Sequence, residues 1–206
     1  MPPDLVMPGR SGPASSRRYL TWISPRGMIV ATVVFLLADG GDQLAGGSFF
    51  PGGPLDETAH LLTTLLVLWA IGGAVWDRLL IPALIASVAI DLDHVPAELG
   101  YDFLTKGTPR PYTHSLLTIV LVLVAALLWT RRRELLLAVA LGVAIHLWRD
   151  MAEPGSGVSL LWPFSDASFS LSHLSYLVVM ALVIAVGMRR SIQRSAVASI
   201  PPGTDL

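Results

Sequence analysis

Residues 115–150 read SLLTIVLVLVAALLWTRRRELLLAVALGVAIHLWRD, and this stretch decides the fold. Two apolar blocks, roughly 115–130 and 134–148, flank the short charged turn Arg131-Arg132-Arg133-Glu134. Blocks of this kind point to a bilayer as the solvent and to two helices crossing it as a hairpin. The second block ends in His146-x-x-x-Asp150, so an imidazole and a carboxylate share one helix face about one turn apart.

The same pattern extends in both directions. Four further apolar blocks lie at roughly 27–38, 60–76, 78–90 and 172–188. Several are shorter than the ~20 residues a straight span prefers, so flanking residues must extend them or the lipid must thin. Across the 206 residues, 53% are apolar and 14% charged, against ~25% charged in a soluble domain. Mean hydropathy is +0.63. The expected fold is all-α, a polytopic membrane bundle of about six transmembrane helices with both termini cytoplasmic. Its expected organisation is a flexible tail over 1–25, a bundle over 26–190 and a second tail over 191–206.

Charge distribution supports the six crossings independently. With the N-terminus inside, the inner segments hold Arg10, Arg17, Arg18, Arg26, Arg78, Arg131, Arg132, Arg133, Arg189, Arg190 and Arg194. The outer segments hold only Lys106, Arg110 and Arg149. Such a split follows the positive-inside rule. Carboxylates do the reverse: only Asp4, Asp77, Glu134 and Asp205 fall inside. The inner turns, Asp77-Arg78 and 131–134, are short, whereas the outer loops 39–59, 91–114 and 149–171 are long, and function concentrates in long loops on rigid scaffolds. A competing reading takes Ser16-Arg17-Arg18-Tyr19-Leu20 and the block 27–38 as an export signal, which would leave five spans.

The histidines then fall on one side. His60 opens the second block, His94 follows the third, His114 opens the fourth, His146 nears the end of the fifth and His173 opens the sixth. Asp91, Asp93 and Asp150 keep them company. Asp91-Leu92-Asp93-His94 sets three metal-competent side chains in four residues at a membrane boundary, where ionisable groups are costly and usually functional. His146 with Asp150 suits either two ligands of one ion or a ligand and its orienter. For that pair alone, a helix-end histidine beside an acid is the plainer alternative. The chain has no cysteine, so ligands must be imidazole nitrogen and carboxylate oxygen, a donor set for Zn, Mn, Fe or Mg.

Thr113 or Ser115 is placed to cap the fourth helix, and Arg110 is a candidate anion clamp or an ordinary interfacial arginine. Lys106 is a second candidate for holding substrate anion. His60 stands near Asp56 and Glu57, as ligand or as a first-turn partner. His173 reads as a structural or interfacial histidine. The Gly/Pro stretch from Glu153 to Phe164 reads as a lid, a substrate-lining loop or an interfacial anchor. No G-x-S-x-G, P-loop or H-E-x-x-H is present, so covalent serine chemistry has no support. A net charge of −1 gives no pull toward nucleic acid.

Ala59-His60-Leu61-Leu62, Asp91-Leu92-Asp93-His94, Arg110-x-x-Thr113-His114-Ser115-Leu116-Leu117, His146-x-x-x-Asp150 and Gly157-Val158-Ser159-Leu160-Leu161-Trp162-Pro163 occur together over about residues 57–165. In order and spacing this set resembles the membrane-bound metal-dependent hydrolase family, the YdjM-like (LexA-binding, inner-membrane) proteins. Pro109 and Pro111 stand where that family commonly has histidine and glycine. The resemblance implies an inner-membrane hydrolase, and the charge distribution places its expected site on the non-cytoplasmic side of a multi-pass bundle. It also implies phosphoester chemistry of the helical zinc phospholipase C kind, an analogy of fold family.

Joined to that resemblance, the residue reading expects His60, Asp91, Asp93, His94, His114, His146 and Asp150 as metal ligands. Asp91 or Asp93 serves as general base or metal bridge, and Arg110 holds the substrate anion. The expected ion is Zn, with Mn or Mg as alternatives, and the expected partners are membrane lipids and a small-molecule or lipid ester. The non-enzymatic alternative is a divalent-metal protein for transport, sensing or structure.

Overall fold

The computed structural model describes residues 24–46, 48, 50–155 and 157–198. The N-terminal tail, the twin-arginine stretch and residues 199–206 lie outside them. Among the described residues the chain is helical: α1 (Pro25–Ala45), α2 (Gly52–Ile71), α3 (Gly73–Ala89), the short α4 (Val95–Glu98), α5 (Leu116–Leu128), α6 (Arg133–Asp150) and α7 (His173–Ala198). A 3-10 turn over Ile90–His94 joins α3 to α4.

Local chemistry explains most boundaries. Ser24 caps α1, its hydroxyl accepting from Gly27 N–H at 3.1 Å, and Pro25 fills the first turn, where its missing N–H costs nothing. Gly46 ends α1 in a left-handed conformation. Several boundaries differ from the sequence reading, the end of α1 among them, which runs on from 38 to Ala45. The second helix starts at Gly52, because Pro54 sits in its first turn, where proline is tolerated. The break before α3 falls at Gly72-Gly73, both at positive φ, and not at Asp77-Arg78. Arg78 therefore lies within α3, where it bonds Glu134 of α6 at 2.7 Å. The last helix runs past residue 190 to Ala198, so residues 191–198 are not a tail. Arg190, just before this extension, donates to the carbonyls of Ala70 and Ile71 at the end of α2.

α2 is central and touches α1, α3, α6 and α7, while α5 packs on α6. α3 and α6 lie closest, across Ala83, Ala86, Ser87, Ala138 and Gly142, the small residues that let membrane helices approach. A Cβ at Gly142 would collide with the Ala83 carbonyl oxygen. Gly142→Ala is therefore expected to cost about 1–3 kcal/mol by overpacking. Thermal unfolding in detergent checks this, since an unchanged midpoint would mean that the seam yields.

The distribution of polarity is inverted relative to a soluble domain. Ile29, Val33 and Leu37 of α1, Leu121, Val124 and Leu128 of α5, and Leu174, Val178 and Leu182 of α7 are exposed. Asp39, Asp42, His60, His146, Arg149 and Asp150 are buried. Helices over Pro25–Ala45, Arg78–Glu98 and His173–Ala196 are long and apolar enough to cross a membrane. Apolar surface of this extent around a charged interior suits lipid as the outer solvent. The chain is an apolar, helical membrane protein.

Candidate metal centre

Four segments converge at one end of the bundle. α2 brings His60, eight residues beyond its first residue and so about 12 Å along its axis. The histidine is two turns deeper than an opening residue. α6 brings His146 and Asp150 on one face. The 3-10 turn brings Asp91 and His94, which side-chain eclipsing at i and i+3 places together. The loop before α5 brings His114. Its N–H bonds the Pro111 carbonyl at 2.9 Å, and Tyr112 stacks on Trp162 at 4.3 Å. Ser115 occupies the cap position of α5, but its hydroxyl donates to the Tyr112 carbonyl and so braces the loop instead of capping the helix.

His114 Nε2 and His146 Nε2 face each other at 3.1 Å. Asp91 Oδ1 lies 3.0 Å from the first and 3.4 Å from the second. Asp150 Oδ2 lies 3.6 Å and 3.2 Å from the same two atoms. His60 Nε2 is 3.1 Å from Asp150 Oδ1, and its ring stacks on His146 at 3.8 Å. His94 Nε2 is 3.5 Å from Asp91 Oδ1. His60, His114, His146 and Asp150 are all but fully buried.

These donors fit a divalent ion. His146 Nδ1 is 2.8 Å from the Ser87 carbonyl, an acceptor, so in the neutral ring Nδ1 carries the proton and Nε2 presents its lone pair. Asp93 Oδ2 stands 3.4 Å from His114 Nδ1. Two ring nitrogens and two carboxylates then face one point. Asp91 Oδ2, both Asp150 oxygens and both His60 nitrogens are buried without a hydrogen bond. Three ligand sets overlap: His60, Asp91 and His146; Asp91, His94 and His114; His114, His146 and Asp150. Asp93 sits beside His114, outside these three sets. Asp93→Asn is expected to weaken metal affinity by ~10–100-fold without changing the fold, which a competitive chelator titration measures.

The electrostatics around His114 favour positive charge. Burial alone would pull its pKa down, but hydrogen bonds to Asp91 and Asp93 carry it above the ordinary histidine value. Arg110 bonds Glu153 and lies 3.5 Å from Asp150. Burial opposes its charge, yet Asp150 and Glu153 more than restore it. Burial pushes Glu153 up, against the pull of Arg110.

A second network lies beside the first, and sequence reading did not find it. Arg149 is buried and contacts Asp56, Asp42 at 3.2 Å and Asp39 at 3.6 Å. Asp39 also lies 3.1 Å from His173 Nε2. Asp56 joins the two networks, standing 3.4 Å from His60. Their signal was available, because Asp39 and Asp42 interrupt an apolar helix where carboxylates are costly. His173 is outside the ligand sets, against Asp39 and the Ala152 carbonyl.

A cavity of about 950 Å³ opens onto the centre, lined at its polar end by Asp56, Glu57, Asp91, His94, Arg110 and Glu153. Lys106 is exposed and does not line it, so its expected role as an anion holder is not met. Of the stretch from Glu153 to Phe164, Glu153 is the described residue that does. Val158 instead plugs the α3–α6 seam against Ala86, Val143 and Leu147, and Leu160 accepts from Leu116 N–H at 2.9 Å. That loop is a brace for the end of the bundle and not a lid.

A family model described as YdjM inner membrane protein matches residues 55–201. Every centre residue named above lies within that range. No curated protein and no solved structure matches the chain.

Proposed function

The chain belongs to the YdjM inner membrane protein family, and from that premise we propose that it is a metal-dependent hydrolase of esters or phosphoesters at the outer membrane surface. The observation that carries the reading is the convergence of four histidines with Asp91 and Asp150, against a cavity that also holds Arg110. Cysteine-free nitrogen and oxygen donors suit Zn, with Mn or Mg next. The overlapping sets offer more ligands than one tetrahedral ion takes, and Asp91 belongs to two of them.

The proposed topology has six crossings with both termini cytoplasmic. Arg190 and Arg194 reach the Gly72 end of α2, and Arg78 pairs with Glu134 at the start of α6. His60 is twelve residues away along α2, about 18 Å, so Arg78, Arg190 and Arg194 lie at the end opposite the histidines, and Arg110 and Arg149 are the described arginines at the histidine end.

A bound divalent ion supplies Lewis acidity and a water of lowered pKa. The chain's own residues do the rest. Arg110 presents its fork to an anionic oxygen while Glu153 and Asp150 hold it in place. Glu57 lines the cavity beside these groups with Oε2 buried.

The purified protein is expected to carry zinc, manganese or magnesium and to hydrolyse a phosphodiester, phosphomonoester or carboxylic ester from a chromogenic panel. Chelation should remove both properties. A metal-free preparation, inert across the panel after metal is added, overturns the proposal. One observation favours a second reading, a metal that only pins helices: Asp56 ties the centre to the Arg149 network. In that case chelation lowers the melting midpoint of a protein that turns over nothing.

A further inference from the structure

The cavity does not end at its polar groups. From Asp91 and His94 it continues along α3 past Val88, Ile85, Leu84 and Ile81, with Leu61 of α2 forming the facing wall. Residues 81, 84, 85 and 88 recur at helical spacing and so form one continuous apolar strip. Ile81 and Ile85 are exposed on the outside of the bundle, so the groove is open to whatever solvent surrounds the helices. Ten residues separate Ile81 from Asp91, about 15 Å along the helix. That is half of the ~30 Å hydrocarbon core, or the depth of one leaflet. At the top of the strip stand the cation Arg110 and the ligand cluster; at its base the helix continues toward Arg78.

A groove that is apolar for one leaflet and then polar, where Arg110 stands beside the ligand cluster among Asp56, Glu57, Asp91 and Glu153, has the pattern of a single lipid molecule whose headgroup meets a cation and a metal-competent site together. We infer that this cavity binds a lipid phosphoester, its acyl chain between Leu61 and the Ile81–Val88 strip and its phosphate at Arg110 and the metal centre. The lipid enters sideways from the outer leaflet. The inference rests on the hydrolytic reading only for the fate of the headgroup, because binding is a separate property. Chain length enters through burial of methylenes, and the phosphate enters through the guanidinium.

The test is equilibrium binding to the detergent-purified full chain, using fluorescent palmitoyl lysophosphatidic acid as probe. Unlabelled palmitoyl lysophosphatidic acid, glycerol 3-phosphate, inorganic phosphate and monopalmitoylglycerol serve as competitors. The first is expected to compete at least about tenfold better than any of the other three, since each of those lacks the chain or the charge. Ile85→Trp, which fills the strip, is expected to weaken probe binding by about tenfold or more with metal content unchanged. Leu61→Phe serves the same purpose from the other wall should the first variant fail to fold. Val179→Trp, on the exposed face of α7, should leave binding as it was.

Equal competition by monopalmitoylglycerol overturns the inference, because it reduces the groove to a generic lipid crevice. Equal competition by inorganic phosphate or glycerol 3-phosphate overturns it too, as does undiminished binding by both groove variants. Tight, headgroup-dependent binding in a protein that hydrolyses nothing sustains the inference and removes only the hydrolytic reading.

Discussion

Replacing His146 by alanine is expected to strip the protein of its divalent ion and of its hydrolytic activity together. His146 belongs to two of the three overlapping ligand sets, and its Nε2 lies within 3.4 Å of His114, Asp91 and Asp150. It is fully buried, so water cannot readily substitute for it. The activity loss should exceed the ~10–100-fold that attends removal of an outer-sphere partner. Thermal unfolding gives a second readout. An ion held at a thousand times its dissociation constant stabilises the native state by about 4 kcal/mol. Wild-type protein should therefore lose several degrees of melting midpoint on chelation, and the variant should show no response. Elemental analysis decides the matter: a variant with unchanged metal stoichiometry would remove His146 from the centre.

The second large effect concerns stability. Arg149→Leu leaves Asp39, Asp42 and Asp56 facing one another in the bundle interior without their cation. Breaking a buried ion pair from one side costs ~3–5 kcal/mol, a large share of the ~5–15 kcal/mol by which domains are stable. Arg149→Lys should recover only part of this, since an ammonium cannot reproduce the fork that spans Asp42 and Asp56. Combining Arg149→Leu with Asp39→Asn and Asp42→Asn should restore most of the loss, because the penalty belongs to uncompensated charge and not to the missing contact. Melting midpoints of the three proteins in one detergent test the series. A single variant as stable as wild type would show that water reaches the carboxylates.

Much of the fold could be read from the sequence because hydropathy is written locally. The apolar blocks and the Arg131–Arg133 turn place seven helix boundaries within two residues of those observed. α2 was started late because Gly52, Gly53 and Pro54 look like a loop, although a first turn tolerates all three. Its end was misplaced because charge was weighted above the Gly72-Gly73 pair. In the centre, spacing gave His146 with Asp150 and put His94 beside Asp91. It could not give the 3-10 geometry that stacks those two side chains, which depends on how α3 runs into Pro96. Nor could it give the partners of Arg149, since Asp42 is 107 residues away and no local pattern carries that contact. The placement of Glu57 at the cavity and of Asp93 beside His114 is likewise a matter of tertiary structure.

The Arg149 network also has a consequence for biogenesis. Chains emerge N-terminus first, so α1 and α2, with Asp39, Asp42 and Asp56, reach the bilayer before α6 does. Until α6 arrives, those carboxylates lack their buried cation and are costly to keep in lipid. Arg149 is equally costly if it arrives alone. Each half of the molecule is thus a poor lodger in the membrane without the other. The step that neutralises both also brings His146 and Asp150 of α6 up to His60 of α2. Assembly of the helices and completion of the ligand cluster are the same event, so a half-built molecule offers a metal ion no finished site.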